Sequence, residues 1–416
     1  QVPQECLILT MQQNQKYFPL LDAQGKLMNR FLLVSNLQTD DPSYIIHGNE
    51  RVLRARLSDA EFFYKQDQKA SLESRLPKLE NVVYHNKLGS QAERVARLCD
   101  VSVVIAQALD ADAQQTLRAA ALAKADLLTE MVGEFPELQG VMGRYYALHD
   151  GEAAAVAEAI EQHYRPRFAG DALPESKTAA AVALADKLET LVGIWGIGLI
   201  PSGDKDPYAL RRSALGILRM LMQYGLDVAP LLQAAYNTFP QGKLAADTVE
   251  EVAEFMQARL AVLLQNDFAH DEVAAVLAKQ PQNLGDINAK LAAVAAFKRL
   301  PEAAALAAAN KRVHNILKKN ELPLGDINPN LLQQLEEQDL YQATQGLVPQ
   351  INQALAHKDF QAALSVLAAV KPTVDAFFDK VMVMADDEDI KRNRLALLRA
   401  LSRQMNAVAD IALLNE

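Results

Sequence analysis

Aromatic residues are scarce in this 416-residue sequence, at 6%, and Trp195 is its single tryptophan. Half of the residues are nonetheless hydrophobic, with alanine and leucine in the lead. That balance disfavours a β-sandwich and favours helices packed on helices. Cysteine is nearly missing too. Cys6 and Cys99 in a chain of this length imply no disulfide framework and fit a reducing compartment. No apolar run is long enough to span a bilayer and no signal peptide is visible, so a cytoplasmic protein without a membrane partner is expected. Net positive charge is also lacking. The formal charge of −10 argues against a general nucleic-acid coat, although phosphates respond to local basic patches rather than to the sum. There is no initiator methionine. The opening QVPQECLILT runs directly into a strand-like pattern, as the interior of a longer chain would.

What is present suggests two to four units with real cores. Residues 6–37 read as β, with ECLILT and KYFPLL flanking MQQNQ, a turn at Asp22-Ala23-Gln24-Gly25, and then RFLLVSNL. Beyond Gly48, Arg51, Arg54 and Arg56, with Lys65 and Lys69, make a basic stripe beside Phe62-Phe63-Tyr64. A solvated helix face and a phosphate contact both fit that stripe. From residue 70 to about 200, helices are expected near 90–109, 116–132, 152–164 and 176–192. Thr116 would cap the second and Ser176 the last. Phe135-Pro136 stops the second helix, and Gly140 and Gly143 bracket a bend before Tyr145-Tyr146. The acids Asp126, Glu130, Glu134, Asp150 and Glu152 stand in an apolar setting that suggests partly buried polar work.

Asp206 is expected to cap a helix with Pro207 at its first position. Leu210, Leu215, Leu218 and Met222 would form its apolar face, with Arg211, Arg212 and Arg219 off that face. The loop before it lacks the full P-loop spacing and a preceding strand, so no nucleotide site is read there. Lys205 with Arg211 and Arg212 can still touch an RNA phosphate. Further on, AAALAAANKRVHNILKK is strongly helical and basic in its second half. Lys311, Arg312, Asn315, Lys318 and Lys319 point away from the apolar face. Asp386 to Asp389 reads as a solvated helix start, with Lys391, Arg392 and Arg394 following to pair with it.

The run RAAALAKADLLTEMVGEFPELQGVMGRYYALHDGE, with QKYFP, GDKDP and ALRR, closely resembles the β-subunit of bacterial two-subunit glycyl-tRNA synthetases. The likeness extends from Val2 to Leu414. ANKRVHNI and FFDKVMVMADDE with RNRLALL resemble DALR-type anticodon-binding domains. The middle of the chain resembles the HD superfamily, whose hydrolases bind metal through a histidine, a His-Asp pair and a later aspartate. By that likeness the ligand positions fall on Gln91, Ala125, Asp126 and Asp186, so only the two aspartates remain and no metal is expected. His149-Asp150 lies outside the helix that the pattern requires and reads as a structural or surface histidine, while His85 and His163 have no partner at metal spacing.

The resemblance implies a mostly α, multi-domain protein. Residues 1–62 would be the end of an N-terminal body with a β-hairpin, 63–225 an HD-like helical domain, 226–296 a helical connector and 297–416 an anticodon-binding bundle. It further implies that the chain is catalytically inert alone, binding glycine tRNA within a heterotetramer of two α- and two β-subunits. ATP and Mg would act on the α-subunit, leaving this chain without a cofactor. Expected tRNA contacts are Lys311, Arg312, Asn315, Lys318, Lys319, Arg392, Arg394, Lys205, Arg211, Arg212, Arg51 and Arg54. Two other readings stay open. A metal-dependent HD-type nucleotide phosphohydrolase would require histidines that the expected positions lack. A non-catalytic helical scaffold with incidental basic faces predicts only a shallow salt dependence.

Overall fold

Between Ala179 and Gly196 apolar residues occupy every side of a helix, interrupted only by Asp186, Lys187, Glu189 and Thr190. A helix that is hydrophobic all round has to be buried. The computed structural model, which describes residues 1–320 and 325–414, places this helix inside a ring of others. The chain forms two units, Gln1–Met220 with Ala229–Ala253, and Leu221–Val228 with Glu254–Glu416.

The first unit opens with α1 (Gln4–Leu9), the hairpin strands β1 (Phe18–Leu21) and β2 (Leu27–Leu32), then α2 (Ser43–Asp67) and α3 (Leu72–Arg75). A small second hairpin, β3 (Val83–His85) with β4 (Gly89–Ser90), leads into α4 (Gln91–Leu109). There follow α5 (Ala113–Leu122), α6 (Glu130–Glu134), α7 (Val141–His149), α8 (Ala154–Gln162) and the buried α9 (Lys177–Gly196). Both hairpins are antiparallel. Helices α4, α5 and α8 pack directly on α9, and α7 packs on α8. Alanines at 179, 180, 181, 183 and 185 let those neighbours approach closely.

The chain continues through α10 (Leu210–Tyr224), α11 (Val228–Asn237) and α12 (Thr248–Leu264). The second unit then adds α13 (His270–Leu277), α14 (Ile287–Lys298), α15 (Ala303–Lys318), α16 (Leu335–Ala356), α17 (Phe360–Ser365), α18 (Lys371–Lys380) and α19 (Glu388–Met405). In it α16 packs on α17, α18 and α19, and α15 packs on α19. Among the described residues no helix is long and apolar enough to cross a membrane. The protein is mostly α, as its composition requires.

Local chemistry explains where the expected elements shift. ECLILT is helical rather than a strand, because Cys6 and Thr10 are buried four residues apart on one side. Thr10 Oγ1 donates to the Cys6 carbonyl at 2.7 Å, and Cys6 Sγ meets Met142 Sδ at 3.3 Å. Strand β2 stops at Leu32, short of residue 37.

The helix expected over 116–132 is broken in two. Asp112, not Thr116, caps α5 by accepting from Gln115 N–H at 2.9 Å, and a single turn at Ala125–Leu128 separates it from α6. Asp206 does cap α10, yet its carboxylate accepts from Leu210 N–H at 2.8 Å and Arg211 N–H at 2.9 Å, so the helix starts three residues after Pro207. Ser176 caps α9 through Ala179 N–H at 3.0 Å, and Asp387 caps α19 through Asp389 and Ile390.

Candidate functional site

The two aspartates that the metal pattern leaves are both buried in the first unit, and each is engaged differently. Asp186 lies on α9 and receives Lys124 Nζ at 3.0 Å and an Arg94 nitrogen at 2.9 Å. One turn further along α9, Glu189 binds Arg94 Nε at 3.1 Å and Arg97 Nε at 3.0 Å. Arg94 also lies over the Tyr84 ring, 4.3 Å from its centre. Burial alone would raise the Asp186 carboxyl, but Lys124 and Arg94 outweigh it and hold it well below the usual carboxylate range. Burial lowers the Lys124 ammonium to about 8, with Asp186 opposing the shift. The pair is therefore ionised at neutral pH.

Lys124 Nζ also reaches His163 Nε2 at 2.9 Å, and His163 Nδ1 donates to the Ile160 carbonyl. Burial, and then the neighbouring ammonium, push the His163 pKa well down, so its ring is neutral. A divalent metal needs several carboxylates or neutral imidazoles converging on one point. Here an ammonium stands against the aspartate, and the imidazole accepts from it. Among the described residues no three His, Cys, Asp or Glu side chains gather in a metal-holding group.

Asp126 has a different task. Its Oδ2 accepts from the N–H groups of Gly140 at 2.6 Å and Gly143 at 2.9 Å. A Cβ on Gly143 would lie 3.0 Å from that oxygen and 2.5 Å from Ile160, and Gly140 has φ +83°, so both glycines serve this carboxylate. Asp126 Oδ1 is buried without a partner, and burial raises the group to about 6. Gln91 is half-buried at the start of α4, with its Oε1 likewise unpartnered. The remaining acids of this stretch divide. Glu130 and Glu134 are exposed, Asp150 caps α3 through Leu72 N–H at 2.8 Å, and Glu152 binds Arg118. His149 is exposed and meets Gln68 at 3.3 Å.

Three groups in this region escaped the reading of the sequence. Lys124 sits beside the Ala125-Asp126 pair, and a lone lysine in an alanine-rich run was its only signal. Arg97 is one turn from Arg94 on the same face. Asp67 is 2% exposed and receives Glu130 N–H, Met131 N–H and the Tyr146 hydroxyl. It caps α6 from far away in sequence, which no local pattern announces.

The basic residues fall into two classes. Arg51 and Arg54 project into solvent from α2, whereas Arg56 pairs with Asp59 and Lys65 with Glu61. Lys205 is exposed in the turn before α10, and Arg212 is exposed in its first turn. Arg211 is half-buried and donates to the Gly203 carbonyl at 2.6 Å, so part of its fork is spent on the turn.

In the second unit α15 seats Leu306, Asn310 and Val313 inside and turns Lys311, Arg312, Asn315, Lys318 and Lys319 outward. Spacings of three and four residues make these five one continuous strip. The buried amides of Asn310 and Asn406 exchange hydrogen bonds of 2.8 and 3.1 Å, which locks the rotation of α15 against α19. Arg312 is further fixed over the Phe378 ring at 4.4 Å. Arg392 is exposed on α19.

Arg394 has to be corrected. It is 4% exposed, binds the fully buried Glu337 at 2.8 and 3.2 Å, and donates to the Met382 carbonyl at 2.6 Å. It is neither an RNA-facing cation nor a partner of the acidic run. Its position three, four and seven residues before the buried Leu397, Leu398 and Leu401 puts it on the inner stripe of α19. Lys391 does pair with Glu388, at 3.3 Å.

Comparison with known proteins bears on both units. Residues 1–278 match the family described as glycyl-tRNA synthetase beta subunit, and residues 306–412 match the DALR anticodon binding domain. The chain is 75% identical over 415 residues to the glycine–tRNA ligase beta subunit of Neisseria meningitidis, covering 100% of this chain and 60% of that protein. The corresponding protein of Neisseria gonorrhoeae is also 75% identical, over 415 residues, with the same coverage. That of Ralstonia nicotianae is 56% identical over 414 residues, covering 99% of this chain and 59% of the relative. The chain thus spans about 60% of the length of the curated relatives it matches.

Proposed function

The chain belongs to the glycyl-tRNA synthetase beta subunit family, and from that premise we propose that it grips glycine tRNA while a separate α-subunit activates the amino acid. One observation carries the reading: the outward strip Lys311, Arg312, Asn315, Lys318 and Lys319 on a helix whose rotation is locked from inside. Unstacked anticodon bases are read by planar cations and amides, while lysines hold the backbone. Arg312, already held over the Phe378 ring, and Asn315 meet base edges. Lys311, Lys318 and Lys319 take phosphates, and Arg392 extends the contact from α19. The similarity of residues 306–412 to an anticodon-binding domain supports the same assignment.

On this reading Lys205, Arg211, Arg212, Arg51 and Arg54 touch the body of the tRNA. The assembly holds two α- and two β-subunits in the cytoplasm. ATP and magnesium act on the α-subunit, and this chain contributes positioning, since holding the acceptor end in its partner's site lowers the entropic barrier to transfer. Filter binding against glycine tRNA and an anticodon-swapped variant, over a salt series, tests the proposal. A steep fall with salt and discrimination between the two RNAs are expected. Equal binding of both would remove base reading from α15, and a flat salt response would leave only a helical scaffold.

A further inference from the structure

A cleft of about 480 Å³ opens into the first unit, walled by Lys187 of α9, Tyr164 after α8, and Ala209, Arg212 and Ser213 at the start of α10. Lys187 is 7% exposed, and its Nζ donates to the Tyr164 carbonyl at 3.3 Å. It takes part in no ion pair among the described residues. A desolvated ammonium with a single neutral acceptor is a costly arrangement that an anion would complete. Its aliphatic stem passes over Gly216, where a Cβ would come within 3.0 Å of Lys187 Cε, so the helix leaves room for the lysine.

Arg212 stands exposed at the mouth and is also free of ion pairs among the described residues. Two of the acids nearby are already spent. Glu161 binds Arg144 and Arg165 and Asp171 binds Arg167, while Glu137 accepts from the neutral amide of Gln13 and keeps its charge. Lys187 and Arg212 together outnumber Glu137, so the net charge left in the cleft is positive.

We propose that this cleft binds a phosphate oxyanion, with Lys187 at its floor and Arg212 and the Ser213 hydroxyl at its mouth. The space left over suits the rest of a mononucleotide-sized group. The oxyanion belongs either to a free phosphate ester or to an RNA backbone, and both present the same oxygens to the lysine. This site is separate from the strip on α15, and changes in that strip leave it intact.

Calorimetric titration of the whole chain with inorganic phosphate, and separately with adenosine 5′-monophosphate, tests the site. One saturable site is expected. Lys187→Met keeps the stem over Gly216, removes the charge and should weaken binding by about tenfold or more. Arg212→Gln, at an exposed position that does not bear on folding, should weaken it by a smaller factor. Displacement of phosphate by glycine tRNA identifies the RNA backbone as the source, whereas undisturbed phosphate binding identifies a free ester. Absence of saturable binding by both probes, or equal affinity in the parent chain and both variants, overturns the proposal.

Discussion

Lysine and arginine serve opposite ends in the core of the first unit and on α15 of the second. In the first, Arg94, Arg97 and Lys124 are withdrawn from water and matched by Asp186 and Glu189. In the second, Lys311, Arg312, Lys318 and Lys319 stand in solvent on one face of a helix whose other face is locked by amides and aliphatics. Residue type is the same in both; burial and partners differ. A buried matched charge specifies structure, because losing its partner leaves an uncompensated ion. An exposed unmatched charge costs folding little and stays available to a polyanion. Within the second unit the same division separates Arg394 from Arg392, two residues apart.

The largest expected effect breaks the comparison on its buried side. Asp186→Ala strands Lys124, leaves Arg94 with Glu189 as its one carboxylate, and should cost about 3–5 kcal/mol in denaturant unfolding. Adding Lys124→Met should recover part of that loss, since it removes one stranded ion. An unchanged unfolding midpoint for the single variant would mean that these charges are not truly desolvated. In the second unit Arg394→Ala should cost on the order of 3 kcal/mol by leaving the buried Glu337 without a counter-ion, while Arg392→Ala should stay within about 0.5 kcal/mol. Similar values for the two would erase the distinction.

A pH series sharpens the role of Asp126. Burial raises its pKa from 3.8 to about 6, so the folded state keeps this proton to higher pH than the unfolded chain does. Its stabilising contribution is complete below 3.8 and is lost as pH rises to about 6, a change of about 3 kcal/mol. Asp126→Asn keeps an acceptor for Gly140 and Gly143 and should remove that part of the slope. Identical slopes in urea midpoints from pH 3.5 to 7 would refute the assignment. Above only the Arg392→Ala control stands Arg312→Ala, at about 0.5–1 kcal/mol of stability from the lost contact with Phe378. Its tRNA affinity should fall by more than that, and discrimination between glycine tRNA and the anticodon-swapped variant should relax.

Much of the helical plan could be read from the chain. Ser176 and Asp387 cap helices by contacts three residues ahead or fewer, and α9 is apolar on nearly every side, so both features lie within a single window of sequence. The outward strip of α15 follows from the same 3.6-residue period. That period also contained the answer for Arg394, which keeps step with Leu397, Leu398 and Leu401. Its charge obscured the pattern, because an arginine is seldom buried without a partner, and Glu337 is 57 residues away.

The break after Leu122 could not be foreseen for a related reason. The residues from Ala123 to Leu128 have ordinary helix propensity, but Asp126 is drawn out of the helix by N–H groups 14 and 17 residues further on. Sequence alone determined that this protein is helical, that Ser176 and Asp206 cap helices and which face of α15 is polar, since each depends on neighbours within a turn or two. Tertiary structure alone decided which charges are free: an ion pair is settled by whichever side chains the fold brings within about 3 Å, and in the core those come from distant helices.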